Sequence, residues 1–165
     1  MAEKWLQNIF TKTGKIFNYT ETRKLYLSYL ETTLKLSEKD YYEKNLNQIK
    51  KDLYRTFPSL KNFQRNITGT TDITQLKNIL RAIVRRNTEF GYVQGMNFVL
   101  GSLFFHSSEV VAFWVFDILL NYYGVKELYG KNLAGLHLRT QVLDLLIESV
   151  FPDVWLRMVF SFIRY

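Results

Sequence analysis

Hydrophobic residues recur along most of this chain at spacings of three and four, which is the period of an α-helix. The clearest run is Tyr42, Leu46, Ile49 and Leu53, which predicts a helix with one apolar face. Comparable runs are Trp5, Leu6, Ile9 and Phe10; Leu25, Leu27, Tyr29 and Leu30; Leu76, Ile79, Leu80 and Ile83; Met96, Val99, Leu100 and Leu103; Val111, Trp114, Val115, Ile118 and Leu119; and Val142, Leu145, Leu146 and Val150. Since the chain has only 2 Pro and 8 Gly to interrupt these runs, we predict an all-α fold.

Polar residues before several of these runs predict where helices begin. Thr20 to Arg23 and Ser37 to Asp40 are typical of helix starts, and Asp72 to Gln75 resembles a capping box. Residues 59 to 72, rich in Asn and Thr, predict a loop. A further helix is predicted to begin at about Gln94.

The composition indicates a globular domain of a reducing compartment. The 165 residues are 47% hydrophobic and suit one domain with a sizeable core. Without cysteine the chain forms no disulfide and no thiolate zinc site, and His106 and His137 stand too far apart to indicate a metal site. The N-terminus resembles no secretion signal, and no apolar run is long enough to span a bilayer. We therefore expect a cytoplasmic location.

The positive charge is concentrated in the first part of the chain. Residues 1 to 91 carry 17 Lys and Arg against 9 Asp and Glu, whereas residues 92 to 165 carry 5 against 6. Such a basic half could meet an anionic membrane or an acidic protein, or it could be an ordinary solvated surface. We expect no nucleic-acid binding, because no recognition motif accompanies the charge.

Two short stretches carry the candidate chemistry. In the first, Asp52 and Arg55 stand three residues apart near the end of a predicted helix, so that their side chains can bond on one face. An ordinary surface salt bridge is the alternative. In the second, Gln94 stands before Gly95 at a predicted helix start, where backbone N–H groups can meet a partner's backbone or a phosphate. A glutamine that only satisfies a helix end is the alternative there.

Together these stretches resemble the two signature motifs of the TBC domain, a family of GTPase-activating proteins for Rab GTPases. Ile49, Asp52, Arg55, Thr56 and Pro58 are similar to its I-x-x-D-x-x-R-T-x-P motif. Its G-Y-x-Q-G-M-N motif is matched by Gly91, Tyr92, Gln94, Gly95, Met96 and Asn97.

The resemblance implies a role for each matched residue. Arg55 would be an arginine finger whose guanidinium is held by Asp52, and Gln94 would be a second finger that orients the attacking water. Tyr92 and Gly95 would shape the loop around Gln94, and Ile49 and Thr56 would support the first motif. GTP and Mg²⁺ would be carried by the partner GTPase, so the chain would need no cofactor of its own. The partner would be a Rab-family small GTPase, and the location cytoplasmic or peripheral on endomembranes.

The resemblance also predicts the domain organisation. Residues 1–38 would form an N-terminal helical extension, and residues 39–165 an irregular multi-helix domain that matches the N-terminal and middle part of a TBC domain, with its C-terminal helices missing. Three functions therefore stay open: a GTPase-activating domain, a catalytically weak module that binds a small GTPase or another protein, and a fragment whose apolar C-terminal surface another chain must cover.

Overall fold

The computed structural model describes residues 2–31, 36–55 and 72–163. These residues form eight α-helices and two short 3₁₀-helices, and no strand occurs among them. The α-helices are α1 (Ala2–Thr13), α2 (Tyr19–Glu31), α3 (Leu36–Arg55), α4 (Asp72–Arg86), α5 (Met96–Phe105), α6 (Glu109–Asn121), α7 (Ala134–Val150) and α8 (Pro152–Ile163). The 3₁₀-helices are Val125–Tyr129 and Lys131–Leu133. The all-α prediction is confirmed.

Contacts within the chain divide it into two compact units. The first unit is Met1–Gly124, which holds α1 to α6, and the second is Val125–Tyr165, which holds the 3₁₀-helices, α7 and α8. The division between an extension of residues 1–38 and a domain from residue 39 stays a prediction.

Helix α4 is the centre of the first unit, because α2, α3, α5 and α6 all pack against it. Its predicted apolar face is confirmed: Ile79, Leu80 and Ile83 are fully buried and Leu76 is 7% exposed. The face predicted for α3 is also largely confirmed, since Tyr42, Ile49 and Leu53 are buried and Leu46 is half-buried. These two faces set the position of α3 in the first unit.

Other predicted faces are confirmed only in part. In α2, Leu25 is exposed, whereas Tyr26 is buried with its ring centroid 5.3 Å from that of Phe113. In α1 and α5 one residue of each predicted face is exposed, Phe10 and Val99 respectively, and the other predicted residues are buried or half-buried. Helix α6 buries residues around its circumference, namely Val110, Ala112, Phe113, Val115, Phe116, Asp117, Ile118 and Leu120. A helix that is apolar on nearly every side has no polar edge to define its phase, so packing decides which side chains are buried.

Two predicted helix starts also differ from the structure. Helix α2 is capped by Asn18, whose Oδ1 accepts the Glu21 N–H at 3.1 Å, and not by Thr20 to Arg23. Helix α5 begins at Met96, two residues after the predicted start at Gln94. Helix α4 begins at Asp72 as predicted, while the loop predicted at residues 59 to 72 lies mostly outside the described residues.

The second unit is formed chiefly by α7 packed against α8. None of the side chains described between residues 125 and 159 is buried. In the part of the chain that the structure describes, no helix combines the length and apolar character needed to cross a membrane.

Candidate functional site

The described part of the first motif, residues 49–55, lies on the last two turns of α3. Ile49 and Asp52 are fully buried, and Leu53 is 6% exposed, so this end of the helix is anchored in the core of the first unit. Arg55 is the last residue of α3, one helical turn after Asp52. The side chain of Arg55 and the whole of Thr56 and Pro58 lie outside the described residues. The predicted bond between Asp52 and Arg55 therefore stays a prediction.

The Asp52 carboxylate has polar partners from two directions. Its Oδ2 accepts a hydrogen bond from the Tyr92 hydroxyl at 2.8 Å, and its Oδ1 accepts one from Gln48 Nε2 at 3.3 Å. Burying a carboxylate is costly unless hydrogen bonds compensate for the water it loses. The Tyr92 bond meets that need and joins the two motifs, which are 40 residues apart in sequence. No local sequence pattern predicted this contact.

The second motif forms the loop 91–95 and the start of α5. Gly91 and Gly95 have φ values of 66° and 103°, which a side chain would make unfavourable, and Gly95 is the residue that caps α5. Between these two glycines, Tyr92 is buried and Gln94 is exposed. The loop thus presents the Gln94 side chain to solvent from a backbone with a buried anchor two residues earlier.

The N–H groups at the start of α5 already have partners inside the protein. Gly95 N–H donates to Asn97 Oδ1 at 3.0 Å, and Met96 N–H donates to the Val93 carbonyl at 3.2 Å. Phe98 N–H donates to the Gly95 carbonyl at 3.1 Å. These three N–H groups already donate to acceptors within the protein. They therefore give no support to the anion site that the sequence suggested at this helix start.

Asn97 is a further residue of this cluster whose role the sequence left unassigned. It is 1% exposed, and its Oδ1 lies 3.1 Å from the Tyr92 hydroxyl as well as 3.0 Å from Gly95 N. The side chains of Asp52, Tyr92 and Asn97 therefore form one buried polar cluster beneath the loop that carries Gln94. The match to the second motif identified Asn97, but only the fold links it to Asp52, through the Tyr92 hydroxyl.

The described residues contain no group of three or more His, Asp or Glu side chains arranged to hold a metal ion. His106 caps the end of α5 and lies edge-on to Trp5, with ring centroids 6.0 Å apart. His137 is exposed on α7 and lines a shallow groove with Asp144 and Met158.

Comparison with known proteins relates the chain to GTPase-activating proteins. The model of the Rab-GTPase-TBC domain matches residues 4–159. The chain is 35% identical to GTPase-activating protein GYP3 of Saccharomyces cerevisiae over 114 residues, which cover 67% of this chain and 18% of that protein. It is 27% identical to GTPase-activating protein gyp2 of Schizosaccharomyces pombe over 186 residues, covering 96% and 25% of the two chains.

An animal relative is similar over the same extent. The growth hormone-regulated TBC protein 1 of Xenopus laevis is 35% identical over 116 residues, which are 68% of this chain and 33% of that protein. The chain thus spans 18% to 33% of the length of these relatives. Because the domain model covers nearly its whole length, the chain belongs to the Rab-GTPase-TBC domain family.

Proposed function

We propose that this chain stimulates GTP hydrolysis by a Rab-family small GTPase, with Arg55 and Gln94 reaching the GTP that is bound to the Rab. The observation that carries the proposal is the 2.8 Å hydrogen bond from the Tyr92 hydroxyl to Asp52, because it ties the segment before Arg55 to the loop that bears Gln94. The names of the relatives as GTPase-activating proteins support the same activity.

Arg55 is proposed as the arginine finger. Negative charge develops on the transferred phosphoryl group, and a cation that meets this charge stabilises the transition state more than the ground state. Arginine suits this task because its planar guanidinium stays protonated and can donate to two oxygens. Asp52 lies one helical turn before Arg55, and its carboxylate is held by hydrogen bonds from Tyr92 and Gln48. It would be the acceptor that orients the Arg55 guanidinium.

Gln94 is proposed as the second finger, whose amide orients the attacking water. An amide can accept a hydrogen bond from water through its oxygen while it donates through its nitrogen. The exposed position of Gln94 on a loop with a buried anchor supports this role. The GTPase would bring the GTP and Mg²⁺, so the chain would contribute side chains and no cofactor.

A Rab partner would place the chain in the cytoplasm, at the surface of endomembranes. The excess of Lys and Arg in residues 1 to 91 supports a peripheral contact with anionic lipid there. This contact would add to the attraction of the GTPase and would weaken as salt is raised.

A module that binds a GTPase or another protein and stimulates little is the alternative. Exposed apolar side chains in the second unit favour it, since such surfaces mark protein contacts. They are Leu136, Leu138, Val142, Leu143, Leu145, Leu146, Val150, Phe151, Val154, Leu156 and Met158. Binding to a Rab without faster hydrolysis would select this alternative.

The test is GTP hydrolysis by a panel of purified Rab proteins, alone and with the chain. Arginine fingers raise such rates by roughly 10³- to 10⁵-fold, so Arg55→Ala should remove nearly all stimulation. Gln94→Ala should remove most of it. The matched controls are Arg23→Ala and Gln7→Ala, which remove the same groups from exposed sites on α2 and α1 and should keep full activity. Equal stimulation by Arg55→Ala and Arg23→Ala would refute the arginine-finger role.

A further inference from the structure

Asn45 lies on α3 seven residues before Asp52, which is two helical turns and therefore the same face of the helix. It belongs to neither motif, yet it is 8% exposed and its Oδ1 accepts the Tyr92 backbone N–H at 2.6 Å. Asp52 accepts from the hydroxyl of the same tyrosine at 2.8 Å. Helix α3 therefore holds Tyr92 at both its backbone and the end of its side chain.

The orientation of the Asn45 amide follows from its other bond. Its Nδ2 donates to the Tyr41 carbonyl at 2.8 Å, one turn earlier on α3. This donation requires that the oxygen of the amide, and not its nitrogen, face the Tyr92 N–H. The side chain is therefore set to accept from the loop before any partner binds.

The backbone at Gly91 lies against the same part of α3. A Cβ atom at Gly91 would overlap the Tyr41 hydroxyl and come within 2.6 Å of Asn45 Oδ1. The Tyr41 hydroxyl also donates to the Thr88 carbonyl at 3.1 Å. Since a residue with a Cβ atom would clash here, glycine at position 91 lets the loop backbone pack directly against Asn45.

Gln94 lies between two fixed points. On one side Tyr92 is bound by Asn45 and Asp52, and on the other the Gly95 N–H donates to Asn97 Oδ1. The backbone N–H of Tyr92 is held by Asn45, and it is two residues from Gln94. Losing the bond from the Tyr92 N–H to Asn45 would let the backbone of the loop move between Gly91 and Gln94, because glycine restricts the backbone at Gly91 least.

We propose that Asn45 is a positioning residue for Gln94: it fixes the backbone of loop 91–95 against α3, so that the glutamine reaches the GTPase in a productive orientation. The role in hydrolysis rests on the proposed function. Misplacing a catalytic group by about 1 Å can cost roughly 100-fold in rate, so a hydrogen bond two residues away is enough to matter.

The experiment compares Asn45→Leu, which keeps the branched shape of the side chain but removes its acceptor and donor, with Asn45→Asp, which keeps an acceptor for the Tyr92 N–H. Tyr26→Phe is the matched control, because it removes another tyrosine hydrogen bond between helices, the part-buried one of 2.7 Å to Glu109 that joins α2 and α6. Two readouts are taken on the full chain: hydrogen exchange of the Tyr92 amide by NMR, and kcat and KM for GTP hydrolysis by the Rab that the unmodified chain stimulates most.

In Asn45→Leu, the Tyr92 amide should exchange about tenfold faster or more, as expected for a lost buried hydrogen bond. The kcat should fall about 10- to 100-fold while KM stays within about twofold, because positioning acts on the transition state and not on docking. Asn45→Asp should recover part of both losses, because its carboxylate accepts the Tyr92 N–H but cannot donate to the Tyr41 carbonyl. Tyr26→Phe should change neither readout.

Unchanged Tyr92 exchange in Asn45→Leu would overturn the proposal, as would faster exchange with an unchanged kcat. An unmodified chain that stimulates no Rab would overturn the proposed function and the part of Asn45 in hydrolysis. The exchange data would still decide whether Asn45 holds the loop, so the two failures are distinguishable.

Discussion

The two units of this chain are built from helices of similar apolar character but differ in what those helices bury. In the first unit, α4 and α6 bury whole faces, and Phe116 is fully inaccessible to water. In the second, the predicted apolar period of α7 is exposed, with Val142, Leu145 and Val150 at 49%, 63% and 60%. The spacing of apolar residues predicts that a helix forms, but it does not determine whether that apolar face is buried. Burial requires neighbouring elements to pack against the face, and α4 has such neighbours in α2, α3, α5 and α6.

The polar groups of the two units differ in the same way. Arg86 of α4 pairs with the buried Asp117 of α6, and its Nη1 donates to the Tyr29 hydroxyl at 3.1 Å. Burial alone would lower the pKa of Arg86, but the bond and charge of Asp117 and then the bond to Tyr29 raise it above its ordinary value. In the second unit, Arg139 and Glu127 pair at 2.9 Å on the surface. We therefore expect side-chain deletions to be costly in the first unit and nearly neutral in the second.

The largest expected difference concerns two phenylalanines. Phe116→Ala should lower the free energy of unfolding by about 3–5 kcal/mol, because it leaves a cavity in a fully packed core. Phe151→Ala removes the same ring from a side chain that is 58% exposed and should cost within about 0.5 kcal/mol. Denaturant unfolding followed by circular dichroism measures both. A Phe151→Ala cost equal to that of Phe116→Ala would contradict the comparison.

The two ion pairs give the second difference. Arg86→Met should cost about 3 kcal/mol, the low end for a buried pair, because it leaves Asp117 without its charge partner while the Arg86 side chain is 31% exposed. Arg139→Met should cost less than about 1 kcal/mol, as surface pairs do. The same unfolding measurements apply.

The double variant Arg86→Met/Asp117→Leu separates the pair from the packing. It should recover part of the loss, since it removes the buried charge together with its partner. A double variant as unstable as the sum of its single variants would mean that the charges act independently, contrary to the structure.

Helix α4 could be predicted from the sequence because its apolar residues follow the helical period and its polar residues occupy the other positions. The period alone could not set the phase of α6, where nearly every side chain is apolar. It also missed the face of α2 that carries Tyr26, because the residues of the predicted run lie on more than one side of that helix, with Leu25 and Leu27 only two positions apart.

In the candidate site, motif matching identified Asp52 and Tyr92 separately. Their hydrogen bond joins residues 40 positions apart, and no local pattern encodes such a pairing. Asn45 lacked even a motif, because its function depends on a loop that reaches it only in the fold. The roles of Arg55 and Gln94 stay predictions that the hydrolysis measurements test.

The smallest expected difference between the units concerns two tyrosines at high pH. Burial, together with the hydrogen bond and charge of Glu109, raises the pKa of Tyr26, and burial alone raises the pKa of Tyr129. An unfolded tyrosine loses its proton near pH 10, so the stability from each neutral hydroxyl is complete below that pH and declines above it, by at most about 1.4 kcal/mol per pH unit. Tyr26→Phe should therefore flatten the fall of unfolding free energy between about pH 10 and 11 more than Tyr129→Phe does. If Tyr129→Phe flattened it equally, burial alone would keep Tyr129 protonated through this pH range as well as burial and Glu109 keep Tyr26, and the contrast between the units would not extend to these two tyrosines.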